Sequence, residues 1–168
     1  MVSALTTIRT ARPRDAAGIA GVHDAAWREA YRGIIPGREL ERMISRRGPR
    51  WWTSAIRRGS NILVLDFDDQ IAGYATYGRN RIRTMPYRGE IFELYLLPEY
   101  QGLGFGGRMF RAARSDLARY GCETAIVWAL ADNLRAVRFY EGLGGRLLRK
   151  APEIFGGEVR ERVAFVFE

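Results

Sequence analysis

Apolar and polar positions along the chain change period several times, and each change marks an element. Thr6 to Thr10 has the β-branched content of a short strand, and Pro13-Arg14-Asp15 then supplies a turn and a helix start. Ile19, Val22, Ala26, Trp27 and Ala30 recur at helical spacing, so the next helix should bury one face before Tyr31-Arg32-Gly33 ends it. A second short helix is expected over Arg38 to Ser45. A third begins at Pro49, carries Trp51, Trp52 and Ile56, and stops at Gly59.

At Asn61 the pattern becomes that of strands. Ile62 to Leu65, the turn residues Asp66 to Asp69 and Ile71 to Tyr77 read as a hairpin. Arg79 to Tyr87 is a polar loop, and Glu90 to Leu97 a further strand ended by Pro98. After the run Gln101-Gly102-Leu103-Gly104-Phe105-Gly106-Gly107 comes a helix with Met109, Phe110, Ala113, Leu117 and Tyr120 on its buried face and Gly121 as its cap. Ala125 to Leu130 is short and almost continuously apolar, as in a strand covered on both sides. Strand, glycine run, helix and strand form one βαβ unit, so these two strands should run parallel with a right-handed crossover. Asp132-Asn133 caps another helix through Tyr140, closed by Gly142. Leu147-Leu148 and Val159 to Phe167 give a final strand pair with Gly156-Gly157 near its turn. The sum is an α+β fold, a mostly antiparallel sheet with one parallel step in the middle.

Composition narrows the setting. With 168 residues, 47% of them hydrophobic, and no linker or repeat, one domain over residues 1–168 is expected. No apolar stretch approaches the roughly 20 residues that span a bilayer, and Met1 to Leu5 has no leader-like pattern, so a soluble, unprocessed chain without a membrane partner is expected. One cysteine, Cys122, and one histidine, His23, offer neither an internal disulfide nor metal-ligand spacing, which points to a cytoplasmic protein without metal. Cys122 reads as structural and His23, early in its helix, as a core or surface residue. The formal net charge is +8, with Lys150 as the lone lysine, so an acidic partner is called for: nucleic acid, an anionic surface or a phosphorylated coenzyme. The arginine groups, such as Arg46-Arg47-Gly48-Pro49-Arg50, are not interleaved with a nucleic-acid motif. A solvated surface is the favoured reading, and nucleic acid is not an expected partner.

The glycine run suits a pyrophosphate, because glycines remove the Cβ atoms that hold a ligand away while N–H groups at a helix start point toward an anion. Arg108 and Arg111 could add charge. Gly102, Gly104 and Gly107 also match the G-x-G-x-x-G of dinucleotide folds, which would make the chain a nicotinamide-dependent oxidoreductase. Against this, Pro98-Glu99-Tyr100-Gln101 separates the strand from the first glycine, hairpin strands precede the unit, and Ala125 to Leu130 ends without the expected acidic residue. A Walker loop lacks its Gly-Lys-Ser/Thr.

Three segments together resemble the GNAT superfamily of acyl-CoA-dependent N-acyltransferases. They are Ile8-Arg9 with Trp27 to Gly33, Leu94 to Gly106 including the Q/R-x-x-G-x-G/A pattern at Gln101 to Gly106, and Asn133 with Ala136, Phe139-Tyr140-Glu141 and Leu143-Gly144. The resemblance implies a mixed central sheet of about six to seven strands, a splayed parallel pair in its middle and helices on both faces. It further implies acetyl-CoA as cosubstrate, pantetheine lying against backbone groups of Tyr95, Leu96 and Leu97, pyrophosphate on the amides of Gln101, Gly102, Leu103, Gly104, Phe105, Gly106 and Gly107, and Asn133 orienting the arm or only capping its helix.

By the same resemblance Tyr140 is the general acid, and Glu93, sharing a strand face with Tyr95, is the base or acceptor-site carboxylate. Trp27 and Tyr31, four residues apart on one helix, would wall the acceptor pocket. The implied reaction is acetyl transfer to a primary amine, small molecule or peptide, by direct attack in a ternary complex. An arginine-rich rim would disfavour a polycationic acceptor. A non-catalytic module using its basic surface is the alternative, and homodimers, common in the family, are possible.

Overall fold

The computed structural model describes residues 5–168; the first four residues, read above for a leader, lie outside the described residues. The elements run β1 (Thr6–Thr10), α1 (Ala16–Tyr31), α2 (Gly37–Ser45), α3 (Pro49–Arg57), β2 (Asn61–Phe67), β3 (Gln70–Arg79), β4 (Gly89–Leu96), α4 (Phe105–Arg119), β5 (Ala125–Leu130), α5 (Leu134–Gly142), β6 (Arg146–Phe155) and β7 (Glu158–Phe167). Short 3-10 turns at Pro13–Asp15 and Pro98–Tyr100 precede α1 and follow β4. Among the described residues the strands form one sheet of seven in the order β1-β2-β3-β4-β5-β7-β6. β4 and β5 run parallel and every other neighbouring pair antiparallel.

The helices cover both faces, as the resemblance implies. On one face Ile19 and Val22 of α1 and Trp52 of α3 pack on Ile62, Val64 and Tyr74. On the other, Met109, Phe110 and Leu117 of α4 and Tyr140 of α5 close over Leu63, Ile91, Leu96 and Phe165. Alternation along β2 produces this split, sending Val64 and Leu65 to opposite helices. No described helix is long and apolar enough to cross a membrane.

The C-terminal hairpin departs from the expectation. β6 is ten residues long instead of the short Leu147-Leu148 segment, and β7 inserts between β5 and β6. β6 lies at the sheet edge with most of its positions toward solvent, so Arg149, Lys150 and Glu153 replace the apolar alternation that signals a strand. Pro152 is tolerated because an edge strand has a side that needs no N–H. The turn out of α5 is also displaced: Gly142 is still helical, and Gly144, with φ of 91°, makes the left-handed reversal.

Candidate active site

The parallel pair is joined at Gly89↔Ala125, Glu90↔Ile126 and Ile91↔Val127. Beyond those residues β4 stays bonded to β3 through Leu96 and β5 to β7 through Leu130, so the sheet splits between them. A register shift opposite β4, between Thr76 and Tyr77, adds local twist where the split begins. The Leu97 N–H donates to the Ala72 carbonyl at 2.8 Å, and the Leu97 carbonyl accepts from the Tyr100 N–H at 2.9 Å. Both Leu97 backbone groups are thus engaged, which removes it from the expected pantetheine edge. Strand alternation turns Tyr95 toward β3 as well and leaves Leu94 and Leu96 facing the gap. The Leu96 carbonyl accepts from Gln101 Nε2 at 3.1 Å, so the Gln101 side chain ties the glycine loop to the strand end.

The loop then turns through Gly102 and Gly104, with φ of 75° and 88°, into α4. The first intrahelical bond there is Arg108 N–H to the Gly104 carbonyl, no side chain among the described residues caps the end, and no acidic residue lies in the first turn. The N–H groups of Phe105, Gly106 and Gly107 therefore stand free at the positive end of the helix dipole, a cradle for a diphosphate. A Cβ on Gly106 would meet the Phe139 ring at 3.0 Å, so glycine is also what lets α4 approach α5. Leu103 is exposed, Phe105 packs toward Phe67 and Tyr100, and the exposed Arg108 lies over the Phe105 ring.

Gap and loop open into one cleft of about 860 Å³. It is lined by Leu94, Tyr95 and Leu96, by Gln101, Gly102, Gly104, Gly106 and Gly107, and by Asn133 and Tyr140, together with Ala26 and Ala30 of α1 and Ile34 just beyond it. Asn133 Oδ1 accepts from the Ala136 N–H at 3.3 Å, so it caps α5 and faces the cleft at once. The Tyr140 ring is buried against Phe110, Phe139 and Phe165. Burial pushes its phenol well above the ordinary value, so it stays protonated at neutral pH.

Glu93, Trp27 and Tyr31 lie on the α1 face beside this cleft. The Tyr31 and Tyr95 hydroxyls share a hydrogen bond, and burial pushes Tyr31 up to about 12. Trp27 packs against both rings, with centroids 5.3 and 5.8 Å away. Glu93 accepts from the Tyr74 hydroxyl at 2.9 Å and pairs with Arg47, which sits on the turn between α2 and α3. His23 is fully buried and stacks on Trp27 at 4.5 Å. Arg47, Tyr74 and the edge role of Leu94 are absent from the sequence reading. Strand alternation counted back from Pro98 could have found Leu94; nothing in the sequence singles out Arg47.

The uncharacterized N-acetyltransferase YuaI of Bacillus subtilis (strain 168) is 28% identical over 158 residues, 94% of this chain and 90% of that protein. The crystal structure of the PaiA N-acetyltransferase of Thermoplasma acidophilum in complex with coenzyme A superposes with a TM-score of 0.76 at 18% identity, covering 94% of this chain and 98% of that one. The yncA structure from Salmonella typhimurium, with its cofactor acetyl-CoA, gives 0.69 at 18% identity over 98% and 94%. The model of the acetyltransferase (GNAT) family matches residues 19–145, and the chain belongs to that family.

Proposed function

We propose that the protein transfers acetyl from acetyl-CoA to a primary amine by direct attack in a ternary complex. The observation that carries this reading is the convergence of the split β4 edge, the uncapped glycine-rich start of α4 and Tyr140 on one cleft. The fit to coenzyme A rests on chemistry present in the chain: an open strand edge for an amide-bearing arm and free helix N–H groups for a diphosphate. When bound, the coenzyme supplies an acetyl thioester.

The backbone of Leu94 and Leu96 would hold the pantetheine arm as an added strand, and the amides from Gln101 to Gly107 its diphosphate. Asn133 orients the arm with whatever hydrogen-bonding capacity its capping role leaves. Trp27 and Tyr31 wall the acceptor side with Tyr95. Glu93, on that wall, serves as the base, taking a proton from the acceptor ammonium directly or through water, or as an acceptor-site carboxylate that holds a cationic group. Tyr140, held protonated by burial, gives its proton to the departing sulfur.

The test is thiol release from acetyl-CoA across a panel of primary amines, with Tyr140→Phe beside the unmodified protein. Tyr140→Phe should bind acetyl-CoA normally and turn over about 100-fold more slowly. Equal turnover would remove Tyr140 from the acid role, and no release with any amine would end the reading as an N-acetyltransferase.

A further inference from the structure

The Arg47–Glu93 pair sits inside an aromatic box. The Arg47 guanidinium lies 4.5 Å from the Trp51 ring centroid and 5.9 Å from those of Trp27 and Trp52. Indole faces attract cations, and three of them around a guanidinium that is also paired with a carboxylate make a seat suited to a compact organic cation. Glu93 is fixed from its far side by the Tyr74 hydroxyl at 2.9 Å and approached by Thr76 Oγ1 at 3.4 Å, so the carboxylate keeps its place whether or not Arg47 is beside it. The seat is built on rigid elements: Glu93 on β4 and two of the indoles on helices α1 and α3, buried or half-buried.

Its present occupant is more exposed than the carboxylate it pairs with. Arg47 belongs to the short turn between α2 and α3, and its side chain keeps 29% of its surface in solvent against 12% for Glu93. Trp51, the ring nearest the guanidinium, is itself 37% exposed, so the box opens to the surface on that side. The wall behind it is buried but polar: both ring nitrogens of His23 and the Trp52 Nε1 lack a hydrogen-bond partner among the described residues. Packing alone does not explain such unsatisfied groups.

From this arrangement we infer that the box is a subsite for a cationic group of the acceptor, an alkylammonium or guanidinium, and that Arg47 is an internal placeholder that the acceptor displaces. This rests on the reading of Glu93 and Trp27 as acceptor-side residues and assigns that side a substrate class. It also reverses the expectation that an arginine-rich rim repels cationic acceptors, because this arginine is neutralised in the seat and moves out as the acceptor enters. Trp27 joins the box to Tyr31 and Tyr95, and Tyr95 lines the cleft, so a cation in the seat extends toward the gap along one aromatic wall.

The experiment is direct binding, without acetyl-CoA, of n-propylguanidinium and n-butylammonium, followed by tryptophan fluorescence and by melting temperature. Arg47→Ala and Arg47→Met, the latter keeping an aliphatic stem over Trp51, should each bind at least one of the two probes about tenfold or more tighter than the unmodified protein. Adding Trp51→Ala or Glu93→Gln to either variant should remove that gain. Affinity unchanged by both Arg47 variants, or a gain indifferent to Trp51 and Glu93, would overturn the subsite. Unfolding of both variants would make Arg47 a structural post and overturn it as well. Acetyl transfer enters none of these readouts, so their failure leaves the proposed reaction standing, whereas a cation that binds as expected without any amine being acetylated defeats the proposed reaction alone.

Discussion

The two sides of the β4 strand are built from different materials. Toward α4 and α5, the groups offered to a ligand are mainly main chain: the Leu94 and Leu96 edge and the N–H groups that follow Gly104. Toward α1 and α3 they are side chains: Trp27, Trp51, Trp52, Tyr74, Arg47 and Glu93. A backbone site requires a conformation and the absence of side chains; a side-chain site requires particular identities at positions brought together from distant segments. The first suits a cosubstrate recognised by its amides and phosphates, and the second suits discrimination among acceptors.

The comparison breaks most visibly if the backbone site is altered without touching the core. A Cβ at Gly104 meets no atom within 4 Å, yet its φ is 88° and it lines the cleft. Gly104→Val therefore strains the loop and places methyl groups where the cradle must stay open. Calorimetric titration should show acetyl-CoA affinity falling by about 100-fold, roughly 2.7 kcal/mol, while the variant still melts cooperatively. Unchanged affinity would mean that the free α4 N–H groups are not the anion site. The side-chain half should respond differently, with cation binding at the Arg47 box unaffected by Gly104→Val.

The same division explains what the chain disclosed before its fold was known. The backbone half was largely legible, because left-handed turns and helix starts demand glycine, and because β5 is recognisable over the same residues, Ala125–Leu130, by its apolar run. Its departures at the strand edge, Tyr95 and Leu97, arose because the side of β4 that bonds to β3 is set by pairing between segments some twenty residues apart. The side-chain half gave residue types without partners. Trp27, Tyr31 and Glu93 could be proposed singly, but Arg47 looks like any other arginine until the α2–α3 turn carries it to Glu93. β6 failed for the opposite reason: an edge strand with solvent near both faces has no apolar period to read.

Within the side-chain half, His23 tests whether the wall is a neutral apolar surface. Burial, with the Arg47 charge beside it, pushes His23 down to about 4. Asp24 pulls the other way with smaller effect. A histidine depressed in the folded state contributes stability that is complete above its unfolded value near 6.5 and is lost as pH falls toward 4, because the unfolded chain takes up the proton first. From pH 7 to pH 5 this amounts to about 2 kcal/mol. Urea unfolding at a series of pH values should show that loss in the unmodified protein and a flatter profile in His23→Phe. Parallel profiles would mean that the imidazole is protonated in place.

Asn133 is the point where the two kinds of site meet, since one side chain both caps α5 and faces the cleft. Asn133→Ala removes the cap and should cost about 1 kcal/mol, a melting shift of roughly 2–4 °C for a chain of this size. Asn133→Asp separates the two duties. Aspartate keeps an oxygen to accept from the Ala136 N–H and places negative charge at a helix start, so the melting temperature should return to that of the unmodified protein. It has no N–H to offer the cleft. If the amide orients the pantetheine arm, Asn133→Asp restores stability while acetyl-CoA affinity stays several-fold weaker; if Asn133 is a cap and nothing else, stability and affinity return together. The second outcome would leave Tyr140 as the side chain that α5 offers to the backbone half of the site.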